Sequence, residues 1–394
     1  MPQWTWLENI HKNTGATCFI HLRQFIFQAP TPYLYEINPW QMHKKYWLPI
    51  LLPVQIVIVQ ILSIFPEFVE KYYSNGLYEW TSSAERSLFG WIPFSFGDIL
   101  YGLVILLLIR WFWKKRKTWK LYWKNNLLHV ASFVSVFYFL FHFFWAMNYH
   151  RMRLPDKMGF ATEYSDAQLL EFTKRLVAKT NALHLKMTGD KDAKIVNPHS
   201  QDQVFRLNHL AYDKLSKRYP YFNLGKPSSK KSLISLQLTY MGFSGYLNPF
   251  TNEAQVNDMV PMYSFPATAS HEMAHQIGYA SESEANFVGY LAAVSSDDHY
   301  LNYSGYTLAL RYCIRSMEAR NEKAAYELIN SVNPGIRKNF RESRIFWESY
   351  ESFVEAGFKF FYDNFLKANK QEDGLDSYSR FVDLMVNYYK TEPF

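Results

Sequence analysis

The sequence predicts a membrane protein, mainly α, in which three N-terminal transmembrane helices precede a mostly helical α+β domain with one small sheet. Three observations carry this. The long apolar runs of the 394 residues fall almost entirely before residue 150, and seven basic residues cluster between two of those runs. Beyond residue 150 the apolar positions recur at helical spacing, except around one short alternating stretch. The mean hydropathy of −0.24 therefore averages two unlike parts.

The first run, residues 47–65, carries no charge and approaches the ~20 residues that cross a bilayer. It contains Pro49, Pro53, Gln55 and Gln60, which a span tolerates when neighbouring helices satisfy the backbone. The second, residues 99–113, ends with Arg110, whose long side chain can snorkel to the interface. The third, residues 127–147, is rich in Phe and includes His129 and His142. A histidine can stay neutral in a span by bonding to nearby backbone, which is the simpler expectation for both. Aromatic residues make up 19% of the chain, many near the ends of these runs, as in membrane-interface belts. The first run starts too far from the N-terminus to be a cleavable signal peptide.

Charge sets the expected topology. Residues 66–98 hold five acids and two bases, whereas Arg110, Lys114, Lys115, Arg116, Lys117, Lys120 and Lys124 follow with no acid among them. Cytoplasmic loops concentrate Lys and Arg. The expectation is a cytoplasmic N-terminal segment (1–46), a membrane domain (47–149) and an extracytoplasmic domain (150–394) on a cytoplasmic membrane. The same reading explains much of the net charge of +7, and no motif for nucleic acid accompanies it. Two distant cysteines, Cys18 and Cys313, suggest neither a disulfide framework nor a cysteine metal site.

In the outer domain Ser165 and Gln168 have the spacing of a capping box, and Leu169, Leu170, Phe172, Leu176 and Val177 follow at helical spacing. Residues 197–210 read as a loop entering another helix. Residues 233–240, L-I-S-L-Q-L-T-Y, alternate apolar and polar positions and predict a strand, with Gly242 and Gly245 marking a bend or second strand. Residues 306–319, 349–368 and 377–389 predict amphipathic helices.

Residues 269–287 read A-S-H-E-M-A-H-Q-I-G-Y-A-S-E-S-E-A-N-F. On a helix His271 and His275 share a face one turn apart, so both imidazoles reach one metal. Zinc accepts nitrogen and oxygen donors in a tetrahedron, and Glu272 stands where a general base is needed. Gly278 suits the left-handed residue that ends a helix, and Ser281 can cap the next. An acid after that turn can close over the metal. Glu282 is the expected third ligand and Glu284 the alternative, because Ser281 and Glu284 have capping-box spacing. Asn286, four residues after Glu282, is positioned for a supporting hydrogen bond. The acids Glu282, Glu284 and Asp297 follow closely, so this helix does not lie in lipid.

H-E-M-A-H followed by E-S-E-A-N resembles the gluzincin metallopeptidases, with Glu282, Ala285 and Asn286 matching their second helix. Only six residues separate His275 from Glu282, fewer than is usual in that group. Residues 47–390 resemble an uncharacterised bacterial membrane family, domain of unknown function 3810. The resemblance rests on P-F-S-F-G-D-I-L-Y (93–101), N-Y-H-R (148–151), A-S-H-E-M-A-H-Q-I-G-Y, E-S-E-A-N-F and G-L-D-S-Y (374–378). It implies a membrane-anchored, zincin-like fold and brings no substrate.

The expected activity is zinc-dependent hydrolysis of a peptide or protein outside the membrane. His271, His275 and Glu282 would hold zinc, and Glu272 would move the proton. Tyr378, ahead of Tyr240, Tyr246 and His299, would stabilise the oxyanion, and peptide would add to the edge of the 233–240 strand. The alternative is a non-catalytic zinc-binding envelope receptor or assembly protein. The retained Glu272 argues against that, since a structural site has no use for it.

Overall fold

The computed structural model describes residues 39–369 and 378–393, the side chains of 39–45, 378 and 379 excepted. The expected cytoplasmic segment lies outside the described residues apart from 39–46, which open α1 (Pro39–Leu62). A short α2 (Pro66–Phe68), a π-helical stretch (Val69–Leu77) and α3 (Tyr78–Phe89) follow. Helices α4 (Phe96–Lys115) and α5 (Trp123–Phe144) are each long and apolar enough to cross a membrane. The stretch Tyr46–Leu62 passes the same test only together with Pro66–Phe89, from which it is bent by 98°. His142 turns its Nδ1 to the Tyr138 carbonyl at 3.0 Å, as expected for a neutral span histidine.

After a 3-10 turn (Ala146–His150) come α6 (Leu154–Met158), α7 (Asp166–Thr188) and α8 (Gln201–Arg218). The capping box of α7 forms: the Gln168 N–H donates to Ser165 Oγ and the Ser165 N–H to Gln168 Oε1. Its expected apolar stripe is buried at Leu169, Phe172, Leu176 and Val177.

Next are β1 (Ser229–Lys231), α9 (Ser235–Tyr240), β2 (Gly245–Asn248) and β3 (Glu253–Val256). The sheet order is β1-β3-β2, with β1 parallel and β2 antiparallel to β3. The expected strand over 233–240 is wrong, because most of it is α9. Short polar side chains decide the matter: Thr239 Oγ1 donates to the Ser235 carbonyl at 2.8 Å, and Ser235 Oγ to that of Ser232 at 2.9 Å. Leu236 and Tyr240, assigned to a buried face by the alternation, are exposed, whereas Leu238 is buried. The true strands are three or four residues long, and β3 is wholly buried although it carries Glu253 and Gln255.

The remaining helices are α10 (Phe265–Gln276), α11 (Glu282–Ser295), α12 (His299–Glu318), α13 (Glu322–Ser331), α14 (Pro334–Glu348), α15 (Phe353–Ala368) and α16 (Tyr378–Thr391). Helices α10 and α11 pack at the centre of the main core with α7, α8, α12 and α16. Gly289 of α11 allows the close approach: a Cβ there would stand 2.8 Å from the His271 nitrogen.

Residues 66–98 are stitched into the same body. Tyr78 donates to the Gln276 carbonyl and accepts from Asn252 Nδ2, both at 2.9 Å. Arg86 donates to Asn252 Oδ1 and the Gln276 carbonyl. The Phe96 and Gly97 N–H groups at the start of α4 donate to the Glu253 carboxylate at 3.2 and 2.6 Å. A carboxylate there also meets the positive end of the helix dipole. Asp98 accepts from Ser232 Oγ, the Leu233 N–H and the Tyr246 hydroxyl. Arg151 holds Glu70 through two bonds of 2.8 Å.

Candidate metal centre

Helix α10 presents His271, Glu272 and His275 because it is buried almost throughout and only this side meets a cleft. Two residues past its end Gly278 has a φ of +86°, left-handed backbone that favours glycine. The turn brings the Tyr279 carbonyl back to His275 Nδ1 at 2.7 Å. That contact makes Nδ1 the donor and leaves the His275 Nε2 lone pair facing the cleft.

The Nε2 atoms of His271 and His275 stand 3.1 Å apart. Glu282, at the first turn of α11, places Oε2 3.2 Å from His271 Nε2 and Oε1 3.7 Å from His275 Nε2. The three donors lie within 4.8 Å of one another, and among the described residues this is the group that could hold a metal ion. Donors ~2.0–2.1 Å from a tetrahedral zinc stand about 3.3 Å apart, so the observed separations bracket the value required.

Other side chains support the three. The Tyr362 hydroxyl of α15 donates to Glu282 Oε1 at 2.5 Å. The Trp145 ring meets His275 edge-on, with centroids 6.1 Å apart. Asn286 lies beside both His271 and Tyr312. Glu272 is buried, and its Oε2 has no hydrogen-bond partner among the described residues.

Burial and the neighbouring charges set the protonation of the metal-free site. Burial would raise the Glu282 carboxyl, but His271, His275 and Tyr362 hold it down at about 2. Burial lowers His275 to about 4, keeping its imidazole neutral. For His271 burial acts downward, and Glu282 and Glu272 outweigh it, so its pKa is raised. Burial, reinforced by the Glu282 charge, lifts Glu272 to about 8.

The cleft has a volume of 580 Å³ and opens between the sheet edge, α15 and the ends of the apolar helices. Its walls include Tyr101 of α4, Phe141 of α5, Gly245 and Tyr246 of β2, and Tyr312 and Arg315 of α12. Of the candidate oxyanion donors, Tyr246 lines the cleft but gives its hydroxyl to Asp98. Tyr240 and His299 are not among the lining residues, and the Tyr378 side chain lies outside the described residues.

Glu284 is engaged elsewhere: its Oε1 accepts the Leu154 N–H at 2.7 Å. The expected capping box with Ser281 does not form, because Ser281 Oγ pairs with Ser283 Oγ at 2.9 Å and Glu284 turns to α6. The residues missed by sequence reasoning are Tyr362, Tyr149 and Tyr312. Tyr149 had a signal in the N-Y-H-R stretch, whereas Tyr362 stands in an ordinary amphipathic helix with no local pattern.

Fold and site together define a mainly helical chain with membrane-length apolar helices and, among the described residues, one half-buried His-His-Glu cluster in an open cleft. The chain belongs to the family described as a protein of unknown function, DUF3810, whose profile matches residues 73–386. No curated protein and no solved structure matches it.

Proposed function

We propose that the protein is a zincin-like, membrane-anchored zinc peptidase that hydrolyses peptide bonds outside the cytoplasmic membrane. The observation that carries this reading is the convergence of His271, His275 and Glu282 in a cleft that also holds a buried, unpartnered Glu272 oxygen. Two imidazole nitrogens and a carboxylate oxygen are a zinc donor set that leaves one position open. When bound, zinc supplies a Lewis acid and lowers the pKa of water at the open position.

The chain's own groups do the rest. In its ionised form Glu272 would take up the proton released in the attack and hand it to the departing amine. Tyr362 and the Tyr279 carbonyl hold Glu282 and His275 in register. Tyr149, Tyr312 and Arg315, which line the cleft, are the donors we assign to a developing oxyanion. Burial and the Glu282 charge raise the Tyr149 pKa, so its hydroxyl keeps its proton. An extended peptide has an edge to join at β2. In this reading α1, α4 and α5 are three spans, with the basic segment after α4 in the cytoplasm and the site outside.

The test is metal content by mass spectrometry on detergent-purified protein, beside His271→Ala, Glu282→Ala and Glu284→Ala. About one zinc per chain is expected, lost with His271 and Glu282 and kept with Glu284→Ala. Glu272→Gln should keep zinc and abolish hydrolysis of a peptide library. Absence of zinc from every sample after reconstitution would end the proposal.

A further inference from the structure

Helix α15 has one side that the described protein leaves bare. Phe353, Phe360 and Phe361 are 89%, 74% and 65% exposed. At 3.6 residues per turn they fall in one sector of roughly 100°. The side turned inward is fully engaged. There Tyr362 bonds Glu282, Leu366 is buried, and the Phe365 ring meets both Phe141 of α5 and Tyr149. The third side carries Lys367 paired with Asp363 at 2.7 Å, and Lys359, paired with Glu355 at 2.5 Å, stands at the rim of the cleft.

The contact with Phe141 fixes the level of this helix. Phe141 stands three residues before the end of α5, about 4.5 Å along its axis. The C-terminal part of α15, at Phe365, therefore sits where α5 leaves its apolar stretch. Water is a poor solvent for three clustered phenyl rings. A helix with an aromatic face and lysines on its polar side is the pattern of a segment lying in a bilayer interface. Phe65, just past α1, and Trp91 and Phe94, just before α4, are exposed as well and extend the belt.

We propose that α15 lies on the bilayer entered by α4 and α5, with Phe353, Phe360 and Phe361 at the acyl boundary and Lys367 among the headgroups. The proposal rests on α4 and α5 being membrane spans, though not on hydrolysis. It makes the roof of the metal cleft a lipid-bound element, since Tyr362 of the same helix holds Glu282.

The test places a nitroxide on Phe360→Cys in the full chain, with Cys18 replaced by serine and the buried Cys313 left in place. Phe361→Cys is a second site if the first disturbs folding. In nanodiscs of phosphatidylethanolamine and phosphatidylglycerol, power saturation compares oxygen with a water-soluble nickel chelate. Labels at Leu106, exposed midway along α4, and at Glu318, exposed at the end of α12, give the lipid and water references. The expected result is an oxygen-to-nickel accessibility ratio several-fold above that of Glu318 and approaching that of Leu106. A ratio equal to that of Glu318, with Leu106 still lipid-like, overturns the proposal alone. A water-like Leu106 overturns the span reading as well. Protection from both reagents with dipolar broadening means that a second copy covers the face, and also overturns it.

Discussion

Replacing Gly289 by alanine inserts one methyl group where α10 and α11 are closest. The new Cβ would stand 2.8 Å from the His271 nitrogen, 3.0 Å from its Cα and 3.0 Å from the Ser270 carbonyl carbon. All three are backbone atoms, so no side chain can swing aside, and relief requires the helices to separate by about 0.6 Å. Overpacking of this kind costs ~1–3 kcal/mol, against which the better helix propensity of alanine returns at most ~1 kcal/mol. The separation also carries Glu282 on α11 away from the histidines on α10, and the His275–Glu282 gap of 3.7 Å already exceeds the tetrahedral spacing. A loss of about 1.4 kcal/mol in zinc binding is a tenfold weaker Kd. Gly289→Ala should therefore bind zinc ~10-fold more weakly in competition with a chromophoric chelator, and its metal-free form should unfold several degrees lower. Gly102→Ala is the control, since nothing lies within 4 Å of the added carbon. If Gly289→Ala matched the wild type in both measurements, the close approach would not be what sets the site.

Tyr362→Phe removes the hydroxyl that orients Glu282 and should weaken zinc ~10-fold with little change in melting; the same competition titration decides it. Glu284→Ala should retain zinc but lose ~1–3 kcal/mol of stability, because the buried Leu154 N–H loses its acceptor. Equal thermal unfolding of mutant and wild type would refute this. The third expectation concerns acid. Burial pushes Glu70 upward, but Arg151 and Lys157 overcome it and hold its pKa at about 2, against 4.5 for an unpaired glutamate. A depressed carboxyl adds stability that is present above pH 4.5 and lost as pH falls toward 2, here ~3 kcal/mol. Glu70→Gln should be less stable at pH 7 and lack that part of the acid dependence. Parallel unfolding curves for mutant and wild type across pH 5 to 3 would show that the pair contributes nothing.

Several features were legible because they rest on short-range rules. The membrane-length runs of α4 and α5, the Ser165 capping box, the Gly278 turn and the helical spacing of Leu169 to Val177 each need only local chemistry. His271, Glu272, His275 and Glu282 fall within one short stretch, so their meeting follows from a helix, a turn and a helix. What escaped was set by distant partners. The stretch 233–240 alternates like a strand, yet Ser235 and Thr239 bond along a helix and Asp258 donates its N–H to Ser235 Oγ. Glu284 has capping-box spacing, but the bare N–H of Leu154, 130 residues away in sequence, takes it. Tyr362 reaches Glu282 across 80 residues, with no pattern to announce it.

The buried polar strand β3 limits how the protein can be made and divided. Glu253 is fully buried, and its carboxylate is matched by the first N–H groups of α4, which leave the ribosome more than 150 residues earlier. Residues 66–98 must therefore wait, beside the apolar helices that flank them in sequence, until the strand that completes them has been synthesised. A secreted fragment begun after His150 would strip Glu253 of the Phe96 and Gly97 donors, Asn252 of Tyr78 and Arg86, and Gln255 of its bond to Ser95. Each buried polar group left without its partner costs ~1–3 kcal/mol, and several together are a large share of the stability of a typical domain. The end of the apolar helices near His150 is thus a poor place to cut, and a shortened version would have to keep residues 66–98 joined to the body they complete.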